Sequence, residues 1–174
     1  MTGDLTDFLL YCLYNSNFKN KHLGKSLTGK LAGDVGIKYI EYFRKPVRDA
    51  LNNSKKFHAP LKIEELGKLA EQLISLGNQS GEGWLLTADM IELIEEGAEN
   101  IVCVQPFGCL PNHITGKGMI KGIRDIYPRA NIVPLDYDPG ASMVNQVNRL
   151  KLMLSTAEDN LKESLDEKKR KRTM

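Results

Sequence analysis

The chain has 174 residues, 41% of them hydrophobic and 26% charged, with a net charge of +2 and three cysteines. That length fits one domain of about 100–200 residues with a modest appendage, and it buries enough surface to fold without a disulfide or a metal. No apolar run nears the roughly 18 residues of a membrane helix, Asp4 and Asp7 stand where a secretion signal is basic, and three cysteines without a CxxC pair make no disulfide framework, so the composition points to a cytoplasmic protein that does not enter membranes.

The N-terminal 84 residues read as helical. Leu5, Phe8, Leu9, Cys12 and Leu13 form an apolar stripe over Asp4 to Tyr14. A polar, glycine-dotted stretch follows, from Asn15 to Gly36. Ile37, Ile40, Phe43, Val47 and Leu51 then recur at helical spacing, with Pro46 expected to kink the helix they define. A third helix spans about Lys62 to Leu76, with Gly77 as its stop. Between Lys19 and Lys62 lie eleven basic residues against Asp34, Glu41 and Asp49. This is a solvated basic surface or a docking surface for an acidic partner or a phosphorylated ligand such as coenzyme A. No nucleic-acid motif accompanies it, so nucleic acid ranks last among partners.

From Trp84 onward the pattern changes. Thr87 can cap a short helix with Met90, Ile91 and Ile94 inward, closed by Gly97. Ile101 to Gln105 is a short β-branched run of the kind found in buried strands. A helix is expected over about Asn112 to Ile126, a second strand over Ile132 to Leu135 with Pro134 marking an edge or an end, and a long helix from Ser142 with a basic end at Lys168 to Arg172. Strand, helix, strand and helix in alternation imply parallel strands with right-handed crossovers. The expected fold is therefore α/β: a helical segment over 1–84, a Rossmann-like parallel βαβα module over 85–157, and a helix extension with a basic tail over 158–174. Two strands alone make a poor sheet, so this module reads as an incomplete part of a larger domain.

Ligands of open α/β sheets bind at the carboxyl ends of the strands, which selects two loops that should face one another. The first holds Pro106, Phe107, Gly108 and Cys109, followed by Pro111, Asn112 and His113; the second holds Asp136, Asp138, Pro139, Gly140 and Ser142. Cys109 just precedes a helix, where free amides and the helix dipole favour a thiolate, either as a nucleophile or as a metal ligand; a small residue filling the loop is the plain alternative. His113 is four residues on, but a C-x3-H pair lacks the further ligands of a zinc site and the third member of a thiol catalyst. Asp138 and the amides of Gly140 to Ser142 could hold a ligand at a helix start, or simply make a turn and a cap. Cys12 and Cys103 lie on apolar faces and read as core. The loop Asn78 to Trp84 lacks the lysine and Ser/Thr of a phosphate-binding loop and reads as a linker or a lid.

The segments GEGWLLTADM (81–90), VQPFGCLPNHITGKG (104–118) and YPRANIVPLDYDPGASMVNQVNRLKLML (127–154) resemble the C-terminal part of the 2-hydroxyacyl-CoA dehydratase family. More narrowly, they resemble the multidomain CoA-substrate-specific enzyme activases, over about residues 60–155. The resemblance implies an α/β iron–sulfur protein with a [4Fe-4S] or double-cubane cluster, one of whose ligands is Cys109 by position, in a reductive elimination of water from a 2-hydroxyacyl-CoA. It implies as partners the remaining dehydratase and activator domains or subunits, and acyl-CoA. The upstream cluster cysteines and the activator's ATP-binding glycines are missing from this chain, so the resemblance implies a module that is not catalytic alone. The other readings are a non-catalytic interaction domain docking through its basic region, and a thiol enzyme using Cys109 with His113.

Overall fold

The computed structural model describes residues 5–24, 27–54, 56–137 and 140–173. They form six α-helices and a two-stranded parallel sheet, divided into two compact units, Met1–Glu96 and Gly97–Met174. The chain is thus α/β with a helical N-terminal half.

The first unit contains α1 (Leu5–Leu23), α2 (Leu27–Asn52), α3 (Ile63–Glu71) and α4 (Trp84–Glu95). α1 runs well past the apolar stripe that predicts it, through the polar residues after Tyr14. Those residues are held by distant partners: Asn15 Oδ1 accepts from Trp84 Nε1 at 3.0 Å, and Asn17 Nδ2 donates to Asp34 Oδ1 at 3.1 Å. Gly29, Gly33 and Gly36 of the glycine-dotted stretch lie inside α2, and Gly33 and Gly36 let it approach α1. A Cβ at Gly33 would sit 2.8 Å from the Leu13 carbonyl oxygen, and one at Gly36 would sit 3.1 Å from the Leu13 side chain. α2 also continues through Pro46.

α3 is shorter than its periodicity predicts and gives way to turns after Glu71. Its start is fixed by Glu65, whose carboxylate accepts the Lys62 backbone N–H at 2.9 Å. α4 begins at Trp84 rather than at Thr87, which is buried within it. Gly83 supplies the entry at φ +47°, where a Cβ would run into the Asn78 carbonyl and the Tyr11 hydroxyl; only glycine turns the chain there without a clash. Trp84 is fully buried and meets Tyr11 and Tyr14 edge-on, with ring centroids 5.0 and 6.0 Å away. With Leu10, Ile63, Leu66, Ala88 and Ile91 it forms the core of this unit.

The second unit contains β1 (Asn100–Pro106), α5 (Ile120–Ile126), β2 (Asn131–Tyr137) and α6 (Met143–Thr173). The strands are parallel and in register, Ile101 opposite Ile132 and Pro106 opposite Tyr137. Between β1 and α5 the helical path is irregular, with a π-helical turn over Asn112–Gly116 and a 3₁₀ turn over Lys117–Met119. β2 is closed to further pairing: the carbonyls of Ile132, Pro134 and Asp136 accept from Arg124, Arg149 and Gln146 at 2.7–2.8 Å. Pro134 has no N–H to offer another strand, so an edge suits it. β1 is the open strand. Ile101 and Gln105 are buried on one face, whereas Val102 and Val104 are 41% and 48% exposed on the other.

No helix among the described residues is long and apolar enough to cross a membrane.

Candidate functional site

The parallel register brings the ends of both strands to one edge, with Gln105 beside Asp136 and Pro106 beside Tyr137. The chain leaves β1 through Pro106 and Phe107, the latter 85% exposed. Gly108 then turns it at φ +66°, and the Cys109 N–H closes the turn on the Pro106 carbonyl at 3.2 Å. That conformation is open to glycine at little cost and strains other residues. Cys109 is half-buried, at the foot of the helical path that continues to Ile126.

The Cys109 sulfur accepts a hydrogen bond from Asn112 Nδ2 at 3.0 Å. His113 does not serve the thiol. Its Nδ1 lies 2.8 Å from the Cys109 carbonyl oxygen, and a carbonyl can only accept, so this nitrogen carries the proton and is occupied on the backbone. The irregular turn follows at once, with Thr115 Oγ1 donating to the Pro111 carbonyl at 2.9 Å. π-helical turns recur at functional sites. Here the turn brings Gly116 close to β1: a Cβ there would stand 3.3 Å from both Cys103 Sγ and Gln105 Nε2.

Gln105 is fully buried behind this turn. Its Nε2 donates to Cys103 Sγ at 3.1 Å, while its Oε1 is buried with no hydrogen-bond partner among the described residues. Burial pushes the Cys103 thiol up, partly offset by the Gln105 amide. Sequence patterning identifies Cys109 but not the two amides that serve the two sulfurs; Gln105, a polar residue at an inward strand position, is the one legible hint.

In the second loop, Gly140 and Ser142 are exposed, and Ser142 occupies the position before α6, its carbonyl accepting from the Gln146 N–H at 3.1 Å. Asp138 and Pro139 lie outside the described residues. A small pocket of about 130 Å³ sits at this helix start, lined by Asp136, Ala141, Ser142, Asn145, Gln146 and Arg149.

A cubane cluster takes four protein ligands. Among the described residues, no group of three or more His, Cys, Asp or Glu side chains is placed to hold a metal ion. Cys12 belongs to the first unit, and the Cys103 sulfur is packed between Gly116 and Gln105. These residues therefore do not make a cluster site by themselves. What they offer is one thiol, Cys109, at the shared edge.

A larger cavity, of about 810 Å³, lies in the first unit. One wall is apolar and comes from α2, through Tyr39, Ile40, Phe43, Val47 and Leu51; α4 supplies acidic lining through Asp89 and Glu92, continued by Glu96 at its C-cap. At its floor a charged network ties α1 to α2: Arg44 Nη1 lies 2.9 Å from Asp7 Oδ1 and 3.1 Å from Glu41, and Arg48 lies 3.2 Å from Glu41. Glu92 accepts the Leu61 backbone N–H at 2.8 Å. Asp89 Oδ1 is buried with no hydrogen-bond partner among the described residues. Burial pushes the Asp89 carboxyl up to about 7, with Glu92 and Asp7 adding to the effect. Glu92 is raised as well, chiefly by burial. Nothing in the periodicity of the three helices announces this cavity, since Asp7, Arg44 and Asp89 converge only when the helices pack.

Comparison with protein families, with characterised proteins and with solved structures finds no match to this chain.

Proposed function

We propose that the chain is a C-terminal module of a 2-hydroxyacyl-CoA dehydratase or activase-type protein that contributes one cysteine ligand, Cys109, to an iron–sulfur cluster and is not catalytic alone. The observation that carries this reading is the Cys109 thiol at the exit of β1, its sulfur held by the Asn112 amide and its loop turned by Gly108. Thiolate ligands of iron–sulfur clusters are tuned by hydrogen bonds to sulfur, and a side-chain amide already stands in that position. Phe107, Pro106 and the loop through Gly140 and Ser142 border the same edge and would form the wall of the cluster or of its acyl-CoA substrate.

The sheet supports the incompleteness of the module. Parallel strands are ordinarily covered on both faces, yet Val102 and Val104 are exposed and one edge of β1 pairs with no strand among the described residues. The proposal assigns that edge and face to the remaining dehydratase-like domains or subunits, in a Rossmann-like sheet of more strands. The other cluster ligands would come from the same partners.

Electron paramagnetic resonance of the reduced assembly, isolated without oxygen, tests the reading. Replacing sulfur by oxygen in Cys109→Ser is expected to change the cluster signal while Cys103→Ser leaves it as it was. A spectrum indifferent to Cys109→Ser would refute the ligand assignment.

A further inference from the structure

The cavity of the first unit offers chemistry of another kind from that of the cysteine edge. Its volume of about 810 Å³ falls within the roughly 300–1,000 Å³ typical of small-molecule sites. Tyr39 and Phe43 present aromatic surface on one side, and Phe57 stands on the connection between α2 and α3. Asp89 and Glu92 of α4, three residues apart, share one side of that helix, and Glu96 at its C-cap adds a third lining carboxyl.

The charges decide what fits. Arg44 and Arg48 are engaged by Asp7 and Glu41, the Lys56 ammonium lies over the Phe57 ring at 5.5 Å from its centroid, and Glu92 is engaged by the Leu61 N–H. The Asp89 carboxyl lines the cavity, and its buried Oδ1 has no partner among the described residues. An anionic ligand would lie against the acidic wall of α4, and a neutral apolar one would leave Asp89 as it is. A cation would be drawn to Asp89 where that residue lines the cavity and would also be attracted to the faces of the aromatic rings. We propose that this cavity binds a small molecule carrying a protonated amine on an apolar body, with the ammonium group on Asp89 and the body against Tyr39 and Phe43.

The charged and titratable groups that line the cavity with Asp89 are Asp7 of α1, Arg44 and Arg48 of α2, Lys56 and His58 of the connection, Glu92 of α4 and Glu96 at its C-cap. Because burial holds the Asp89 carboxyl near 7, an ammonium ligand must displace its proton at lower pH, and binding should tighten between pH 6 and pH 8.

Calorimetric titration of the full chain with n-octylammonium, 1-octanol and octanoate, each below its micellar concentration, tests the proposal because the three probes share one apolar body. Octylammonium is expected to bind roughly tenfold or more tightly than octanol at pH 8, with octanoate the weakest. In Asp89→Asn, which keeps the shape and removes an unpaired buried charge, the ammonium advantage should vanish while octanol binding persists; a thermal melt confirms that the variant is folded. Equal affinity for octylammonium and octanol, or an advantage that survives Asp89→Asn, overturns the proposal. A helical Leu/Lys peptide that occupies the cavity when octylammonium does not would overturn it too, by making the groove a docking surface for a protein.

Discussion

Arg44 of α2 and Asp7 of α1 meet at 2.9 Å with both side chains almost fully withdrawn from solvent, whereas Asp89 of α4, lining the same cavity, has an oxygen buried without a hydrogen-bond partner among the described residues. Breaking a buried pair from one side leaves an uncompensated charge and costs about 3–5 kcal/mol. Arg44→Met should therefore destabilise the protein by about 3 kcal/mol in urea unfolding. Asp7→Leu combined with Arg44→Met should recover most of that loss, because no charge is then stranded.

Asp89 makes stability fall as pH rises. Its carboxyl is held near 7 in the folded protein against about 3.9 in an unfolded chain. The folded state therefore binds the proton more tightly, and the stabilisation is complete below about pH 4 and is lost as pH rises through 7. The interval is worth at most about 4 kcal/mol, and Glu92, also raised by burial, acts in the same direction. Asp89→Asn should flatten the decline and leave the variant more stable than the parent at pH 8, as measured by unfolding midpoints across that range.

Gly83 and Gly97 both have positive φ but differ in what surrounds them. A Cβ at Gly83 would meet the Asn78 carbonyl and the Tyr11 hydroxyl, whereas one at Gly97 would meet nothing within 4 Å. Gly97→Ala should cost only the backbone strain of about 1 kcal/mol. Gly83→Ala should add a steric clash at the entry to α4, for a total of roughly 2–4 kcal/mol. Thermal unfolding of the two variants side by side separates the contributions.

The three thiols should react unequally. Cys12 is exposed, and Cys109 is half-buried, while Cys103 is half-buried with its thiol pushed up by desolvation. Alkylation of the native chain near pH 8, followed by mass spectrometry, should label Cys103 last, on the order of tenfold more slowly than Cys12. In urea the difference should disappear.

The second unit was largely legible in the sequence, because its signals are local. Ile101 to Gln105 and Ile132 to Leu135 are β-branched runs, and the parallel pairing with both loops at one edge follows from their alternation with helices. The first unit was legible only in part. Asn15 to Gly36 is polar and rich in glycine, yet nearly all of it is helical, because Asn15 is satisfied by Trp84 and Gly33 permits contact with Leu13. Both reasons lie in residues distant along the chain. The same holds for Asp7, Arg44 and Asp89, which look like ordinary charges until three helices bring them to one cavity. At the cysteine edge the thiol could be picked out, but Asn112 as its donor and His113 turned to the backbone depend on an irregular helical turn that periodicity does not register.

The proposed role of Cys109 is tested most directly by measuring iron and acid-labile sulfide in this chain, with any partner it retains, isolated without oxygen and compared across Cys109→Ser, Cys103→Ser and Cys12→Ser. The account predicts that iron and sulfide fall in Cys109→Ser and stay at the parent level in the other two. Equal iron and sulfide in all three variants would contradict it.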